Sequence, residues 1–437
     1  MLARGYPARL FRALFLAALL SACTGTVPPS LVPASDPPSG TDRHTASPGP
    51  SATPTTVPTV PISPLPTPAH TPQAGWIRLA DAPEAGAAWS SDGQHLLVWT
   101  AAPGGPPETN VVRLVTRSGE QVREFEAVTD PVWLDSLRFV LYRLDWRQDE
   151  GGEWYAETGP NGERLGSVLA GALGSSELSP LTMPIDPALP NGRGVLALAR
   201  FDSGDRAEYA LWSDGAMSDW RPGYPTTWSH AGDRLLLVHS RDFGPGAEGW
   251  LEVAGSDGTT IWSDESVRVG GGLFDPTGFY LAYPEFVERP RLPREVPMFD
   301  LVVRIVDLAT GAVDGFPAQE NGAFAWTSDG NLVVVGFESQ QATVYDRAGD
   351  ALSTAAVLGP TIVASEDGST LLIYDAELDE PPMQIQRGGA LSLLDTPGTL
   401  AGPAPDLSPD GSGLVAVVRL PSSAPQGPPA TVLLHNL

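Results

Sequence analysis

Of 437 residues only one is cysteine and none is lysine, so all 26 basic side chains are arginine. With Cys23 alone, no intrachain disulfide forms, and any fold must be held by a packed core. The missing lysine excludes a Schiff-base lysine, a Ser-Lys dyad and a phosphate-binding Walker lysine. Gly-x-Ser-x-Gly does not occur, nor does an Asp-x-Asp-x-Asp-Gly calcium loop. Histidine is scarce: beyond residue 75 it stands only at His95, His230, His239 and His435, with no two at metal-ligand spacing. No cofactor and no metal are expected. After residue 22 no apolar run approaches the roughly 18–20 residues that span a bilayer. Positive charge is short as well: 52 acids leave a formal charge of −26, which repels phosphate backbones and argues against a nucleic-acid partner.

What is present begins with "MLARGYPARLFRALFLAALLSAC", where Arg4, Arg9 and Arg12 precede a short apolar run. This is the layout of an export signal. Its end, Leu20-Ser21-Ala22-Cys23, resembles the bacterial lipobox, and that resemblance implies acylation at Cys23 and cleavage before it. Residues 24–75 then turn to Pro, Ser and Thr, with 14 prolines. Proline removes backbone donors and fixes φ, so this stretch reads as an extended stalk of about 3.1 Å per residue. The expected organisation is a signal over 1–22, a lipidated cysteine and disordered linker over 23–75, and a folded domain over 76–437.

Self-similarity organises that domain. A tryptophan or its equivalent, a Ser/Pro-Asp-Gly turn and an aliphatic run recur. The copies are "AWSSDGQHLLVWT" from Ala88, "VWLDSLRFVLYRL" from Val132, "TWSHAGDRLLLVH" from Thr227, "LFDPTGFYLAYPE" from Leu273, "AWTSDGNLVVVGF" from Ala325, "VASEDGSTLLIYD" from Val363 and "DLSPDGSGLVAVV" from Asp406. A degraded copy, "LSPLTMPIDPALPNGRGVLALAR", starts at Leu178 with an insertion inside it. Each copy reads as a β-hairpin whose glycine supplies a positive φ. Two weaker strands follow each hairpin, as "NVVRLVT" and "QVREFEA" do in the first unit. A four-stranded unit cannot bury its own two faces, so units must stack on one another.

Gly93 and Gly411 are separated by seven intervals of about 45 residues, the spacing of propeller blades. The expected fold is all-β, a β-propeller of eight four-stranded blades, with seven blades of about 52 residues as the alternative. The last unit stops one strand short, and "GWIRLADA" after the linker has no unit of its own. Residues 76–80 are therefore expected to supply the fourth strand of the last blade and close the ring.

The W-S-P-D-G turn with its aliphatic strand resembles the WD40-like repeat of TolB-type β-propellers, found also in the propeller domains of prolyl-oligopeptidase-like peptidases. Two copies depart from it: Leu134-Asp135-Ser136 lacks the glycine, and Ser229-His230-Ala231-Gly232 replaces Pro-Asp. The resemblance implies a propeller that interacts with other envelope components; a propeller as such hosts many functions. A sialidase Asp-box, Ser-x-Asp-x-Gly, is not matched, because Asp and Gly are adjacent at Asp92-Gly93, Asp329-Gly330, Asp367-Gly368 and Asp410-Gly411. These aspartates read as turn-makers. His239 and His435 alternate with aliphatics and read as structural.

Function is expected on the loops. In such blades the connections from second to third strand share one face, and long ones fall at 101–108, 145–152, 241–249, 286–298 and 421–429. They carry Trp146, Phe243 and Phe286, and "FVERPRLPREVPMF" adds Arg289, Arg291 and Arg294. Aromatics and arginine dominate binding hot spots. The expectation is a monomeric, lipid-anchored, extracytoplasmic module that binds or scaffolds an envelope protein, peptide or glycan and meets the membrane only through its lipid. Its alternative is a carbohydrate- or peptide-processing enzyme with carboxylates about 5–10 Å apart in the central channel. A regulatory partner of a neighbouring protein is the third reading.

Overall fold

The computed structural model describes residues 76–437 apart from 103–105, 150, 153, 160–163, 176, 185–187, 202–205, 241–247, 269–270, 289–298, 319–321, 377–382, 389, 395–397, 401–403 and 420–429. Alternating residues along each strand give it two apolar faces, and the result is eight antiparallel sheets built from chain-consecutive strands. Blade 1 comprises Glu84–Trp89, His95–Ala101, Val111–Thr116 and Gln121–Glu126. The first strands of blades 2 to 8 are Thr129–Trp133, Ala188–Pro190, Tyr224–Trp228, Leu273–Phe274, Gly322–Trp326, Thr361–Ala364 and Asp406–Leu407. Each first strand touches the first strands of both neighbouring blades, and the eighth touches the first. That cycle makes the molecule an eight-bladed β-propeller with the first strands innermost.

Closure occurs where the repeat count left a gap. Ile77–Ala82 pairs antiparallel with Ala430–Asn436, Ala80 opposite Val432 and Ala82 opposite Ala430. Thr431 Oγ1 donates to Asp81 Oδ1 at 2.7 Å. Trp76 lies just before this strand, edge-on to His435 at 4.9 Å between ring centroids.

The degraded repeat divides differently from its sequence pattern. Its start, Ser179–Leu181, is the outer strand of blade 2, and only Ala188–Pro190 opens blade 3. The "insertion" is thus the passage between blades. Asn191 replaces the aspartate of the turn, its Oδ1 accepting the N–H groups of Arg193 and Val195 at 2.8 and 2.9 Å.

Packing follows the period of two. In blade 4, Leu235 and Leu237 face blade 3 with Tyr209 and Leu211, while Leu236 and Val238 face blade 5 with Leu281 and Tyr283. Leu96 and Val98 of blade 1 meet Val415, Val417 and Val432 of blade 8 in the same way. Each blade-to-blade interface therefore has its own apolar core, and a smaller cluster of Ala416, Val418 and Leu433 lies within blade 8.

The repeated tryptophan is the second tie. Trp133 Nε1 donates to the Ala88 carbonyl of the preceding blade at 3.0 Å, Trp228 to Leu189 at 2.9 Å, Trp326 to Leu273 at 3.0 Å, and Trp89 to Asp406 across the ring closure at 3.3 Å. The indole fills the interface and satisfies a backbone acceptor of the innermost strand.

Candidate binding face

Antiparallel blades send their strand connections to two ends. Turns between first and second and between third and fourth strands lie on one face, here the turn face. Second-to-third connections and the passages between blades lie on the other, the loop face.

On the turn face each Ser/Thr-Asp pair is engaged in its own hairpin. Ser90 Oγ donates to Asp92 at 2.7 Å, Ser365 to Asp367 at 2.7 Å and Ser408 to Asp410 at 2.6 Å; Thr327 pairs likewise with Asp329. Asp92 and Asp367 also accept backbone N–H groups two residues on, the geometry of an Asx turn. Burial pushes the Asp410 carboxyl up, but hydrogen bonds from Ser408 and Ser412 and the charge of Arg117 together hold it down at about 2. In blade 2, where glycine is missing, Asp135 takes over by accepting from the Leu137 and Arg138 N–H groups at 2.8 and 2.7 Å.

Arginine stitches this face from blade to blade. Arg117 of blade 1 donates to Asp410 (3.2 Å) and to the Ser412 carbonyl (2.7 Å) of blade 8. Arg138 of blade 2 reaches Asp214 of blade 3 at 3.1 Å, and Arg221 of blade 3 the Gly258 carbonyl of blade 4 at 2.5 Å. Arg347 of blade 6 meets Asp275 of blade 5 at 3.3 Å, and Arg387 of blade 7 meets the Leu437 carbonyl of blade 8 at 2.8 Å.

The turn tips also meet non-neighbouring blades. A Cβ on Gly192 of blade 3 would lie 3.1 Å from Ser91 Cβ of blade 1, and one on Gly368 of blade 7 would lie 2.9 Å from Pro276 of blade 5. His230 Nδ1 of blade 4 sits 3.4 Å from Glu366 Oε2 of blade 7. The hydrogen bond with Glu366 raises the His230 pKa against the opposing effect of burial. The channel is pinched at this end.

The loop face is built differently. The described strands leave second-to-third connections over 102–110, 145–165, 202–206, 241–247, 289–298, 337–340, 375–382 and 420–429; of the long stretches expected from sequence, 241–247, 289–298 and 421–429 lie outside the described residues. Phe243, Arg289, Arg291 and Arg294 lie outside the described residues. Two assignments change. Phe286 belongs to the strand Tyr280–Glu288, opposite Leu301, and is not on a loop. Trp146 is a core anchor: it starts a hairpin, Trp146–Gln148 against Trp154–Ala156, and packs on the core between blades 2 and 3.

That hairpin turns Arg147 and Tyr155 outward as a cross-strand pair, Tyr155 being 44% exposed. Arg147 is held by Glu157 at 3.0 Å. Farther along the same insertion, Arg164 Nη1 donates to Asp130 Oδ2 at 2.9 Å. Asp130 sits in the innermost strand of blade 2 at a bulge between Thr129 and Val132, with φ +47, a conformation side chains rarely adopt. Burial raises its pKa despite the Arg164 charge, although its side chain keeps 19% exposure. The described innermost strands hold two further carboxylates, Glu84 and Asp406.

Toward the same face, His239 and Glu252 share a hydrogen bond of 3.0 Å, and Thr260 donates to the other carboxylate oxygen at 2.5 Å. Trp250 stacks on the imidazole at 3.4 Å. The His239 hydrogen bond, aided by Thr260 and opposed by burial, lowers the Glu252 pKa. Gly223 makes room for the ring: a Cβ there would lie 2.8 Å from His239 Cε1. Asp130, Arg164 and Glu252 carry no repeat signal and were invisible to motif reading; the one available cue was the insertion length in blade 2.

Among the described residues, no group of three or more His, Cys, Asp or Glu side chains is placed to hold a metal ion, and no helix is long and apolar enough to cross a membrane. Two shallow clefts, of about 320 and 490 Å³, lie between blades 2 and 3 and between blades 1 and 8, both toward the turn face.

No family model matches the sequence, and no curated protein matches it. Solved structures with a similar fold include Sqt1 of Chaetomium thermophilum bound to the N-terminus of the ribosomal protein L10. It is 13% identical, with 82% of this chain and 97% of that one covered and a TM-score of 0.45. The β-propeller domain of Cps50 (Swd1) from Myceliophteria thermophila is 11% identical, with 83% and 99% covered and a TM-score of 0.42. TolB from Acinetobacter baumannii is 14% identical, with 77% and 79% covered and a TM-score of 0.33. At these identities the likeness is one of fold, and the strand pairing already establishes that fold.

Proposed function

We propose that this chain is a lipid-anchored, extracytoplasmic propeller that binds a protein partner of the cell envelope through its loop face. The observation that carries this reading is the contrast between the two faces. The turn face is consumed by structural hydrogen bonds and arginine stitches, whereas the loop face bears the unrepeated insertions, one of them an ordered hairpin presenting Arg147 and Tyr155. Exposed arginine and tyrosine on a rigid support are the side chains that anchor interfaces. Acylation at Cys23 and the stalk over 24–75 would hold this face at a distance from the membrane.

The test replaces Arg147 and Tyr155 with Ser in the full-length chain, leaving Trp146 on its core, and compares cross-linked envelope partners. Loss of a specific partner with an unchanged melting temperature supports the loop face; full retention rejects it. Separately, Cys23→Ser should move the protein from the membrane fraction to the soluble one.

A further inference from the structure

The outermost strand of each blade presents a row of backbone donors and acceptors, and most of these edges are guarded. An acid stands in the outer strands of blades 1, 4, 5 and 8, at Glu124, Asp264, Asp314 and Asp81. The outer strand of blade 2 is three residues long, and that of blade 3 is split into two pieces of two. Blade 7 has no charge in Ala390–Leu394, but only Ala390 is exposed there. Blade 6 has none of these protections. Its outer strand, Ala351–Ala356, reads ALSTAA, with five of six side chains exposed and Leu352 at 51%. Its inner side pairs with Gln341–Tyr345, in regular register over Ser353–Ala356 past a shift at Leu352. Among the described residues no strand pairs with its outer side. An edge of this kind is where an extended chain adds.

We infer that this edge is the dock for the chain's own residues 53–60, which add to blade 6 as a fifth strand and strap the stalk to the propeller. Charge is the first argument for this occupant: no acid or arginine stands between Arg43 and Arg78, nor between Asp350 and Glu366, in a chain of −26. The second is sequence. Six of the eight residues in "TPTTVPTV" are β-branched, as suits a strand, and its two prolines are four apart. Successive residues of a strand point their N–H groups to opposite sides, so Thr53, Thr55, Val57 and Thr59 all offer a donor to the edge while Pro54 and Pro58 face solvent. The third is reach. The described chain begins at Trp76, just before the outer strand of blade 8, two blades from blade 6. A folded body the size of residues 76–437 has a radius of about 27 Å, so a quarter-turn chord is about 38 Å. Residues 61–75 span about 45 Å at about 3.1 Å each. Size favours a tethered occupant over a second copy. A six-residue edge falls far below the roughly 1,000 Å² of a stable two-body interface, whereas a linked segment binds at an effective concentration of order millimolar. Docking leaves 24–52 as free stalk, about 90 Å at most, and makes the propeller hang from blade 6. That orientation rests on the lipid anchoring proposed above; the docking itself does not.

The test is hydrogen exchange of the 350–357 peptide in the full-length chain, read by mass spectrometry with no partner present. Exchange there should quicken about tenfold when 53–60 is deleted, and by a similar factor in Val57→Pro and Thr59→Pro, which remove donors aimed at the edge. Thr56→Pro removes a donor aimed at solvent and should exchange like the parent. The three proline variants differ only in which side of the strand loses its donor, and all lie outside the propeller, so its melt should not change. The inference is overturned if the deletion leaves exchange of 350–357 unchanged, if Thr56→Pro loses protection as Val57→Pro does, or if protection in the parent fades on dilution, the mark of a second copy. Because no envelope partner enters the measurement, its failure would leave the loop-face reading standing, and loss of that reading would leave the strap.

Discussion

Asp81 and Thr431, 350 positions apart, share a hydrogen bond of 2.7 Å across the strands that close the ring. The first folded strand and the last are thus neighbours, and the propeller has no free end until both are in place. Deleting residues 76–82 exposes the outer edge of blade 8 and part of the blade 8–1 core. The deletion should abolish the single cooperative melt, and Ala80→Asp, which buries a charge in that core, should cost about 3 kcal/mol or more. Calorimetry that shows an unchanged transition for the deletion would reject the closure.

Trp133 separates the two contributions of the repeated tryptophan. Trp133→Phe keeps an aromatic ring against Phe139, 5.5 Å away, but strands the Ala88 carbonyl. The expected loss is about 1–2 kcal/mol. Trp133→Ala also opens a cavity between blades 1 and 2, with an expected loss of about 3–5 kcal/mol. Urea unfolding of both variants measures the difference; equal losses would mean the hydrogen bond contributes nothing.

The Asp130–Arg164 pair predicts a pH signature of defined sign. Burial lifts the folded-state pKa of Asp130 above its unfolded value. The ionised carboxylate therefore works against folding above the raised pKa, and that cost is relieved as pH falls through it. Arg164→Gln leaves the carboxylate enclosed without its partner and should cost about 1–3 kcal/mol at neutral pH. Much of that loss should return between pH 7 and the usual carboxylate range, and Asp130→Asn should flatten the difference. A parallel pH profile for parent and Arg164→Gln would contradict the assignment.

His230 offers the opposite case. Its pKa is raised by Glu366, so its contribution is fully present below the ordinary histidine value of about 6.5 and is lost as pH rises through the raised one. Both groups are well exposed, so the stability at stake is small. The sensitive measurement is an NMR titration of the imidazole. Glu366→Gln should bring its midpoint down toward the ordinary range, and no movement would show that the two side chains do not meet across the channel.

Much of this architecture was legible in residue order because a hairpin repeat is a local signal. Gly93 and Gly411 mark turns by the positive φ they must adopt, at +68° and +64°, and alternating leucines mark strands with two buried faces. The degraded third unit misled for a related reason: Ser179–Leu181 has the composition of a turn entrance yet pairs as an outer strand, and only its neighbour Val168–Ala170 determines that. Trp146 was misplaced likewise, because an aromatic in a long insertion looks exposed until the insertion folds back on the core.

By itself the sequence favoured eight blades over seven, indicated the ring closure and excluded the chemistry closed to a chain without lysine and with one cysteine, since these depend on period and composition. Only the tertiary structure decided which residues face each other. Asp130 meets Arg164, His239 meets Glu252, and Arg138 spans to Asp214 through contacts between strands or blades, and such distances are set by how blades twist and pack around an axis.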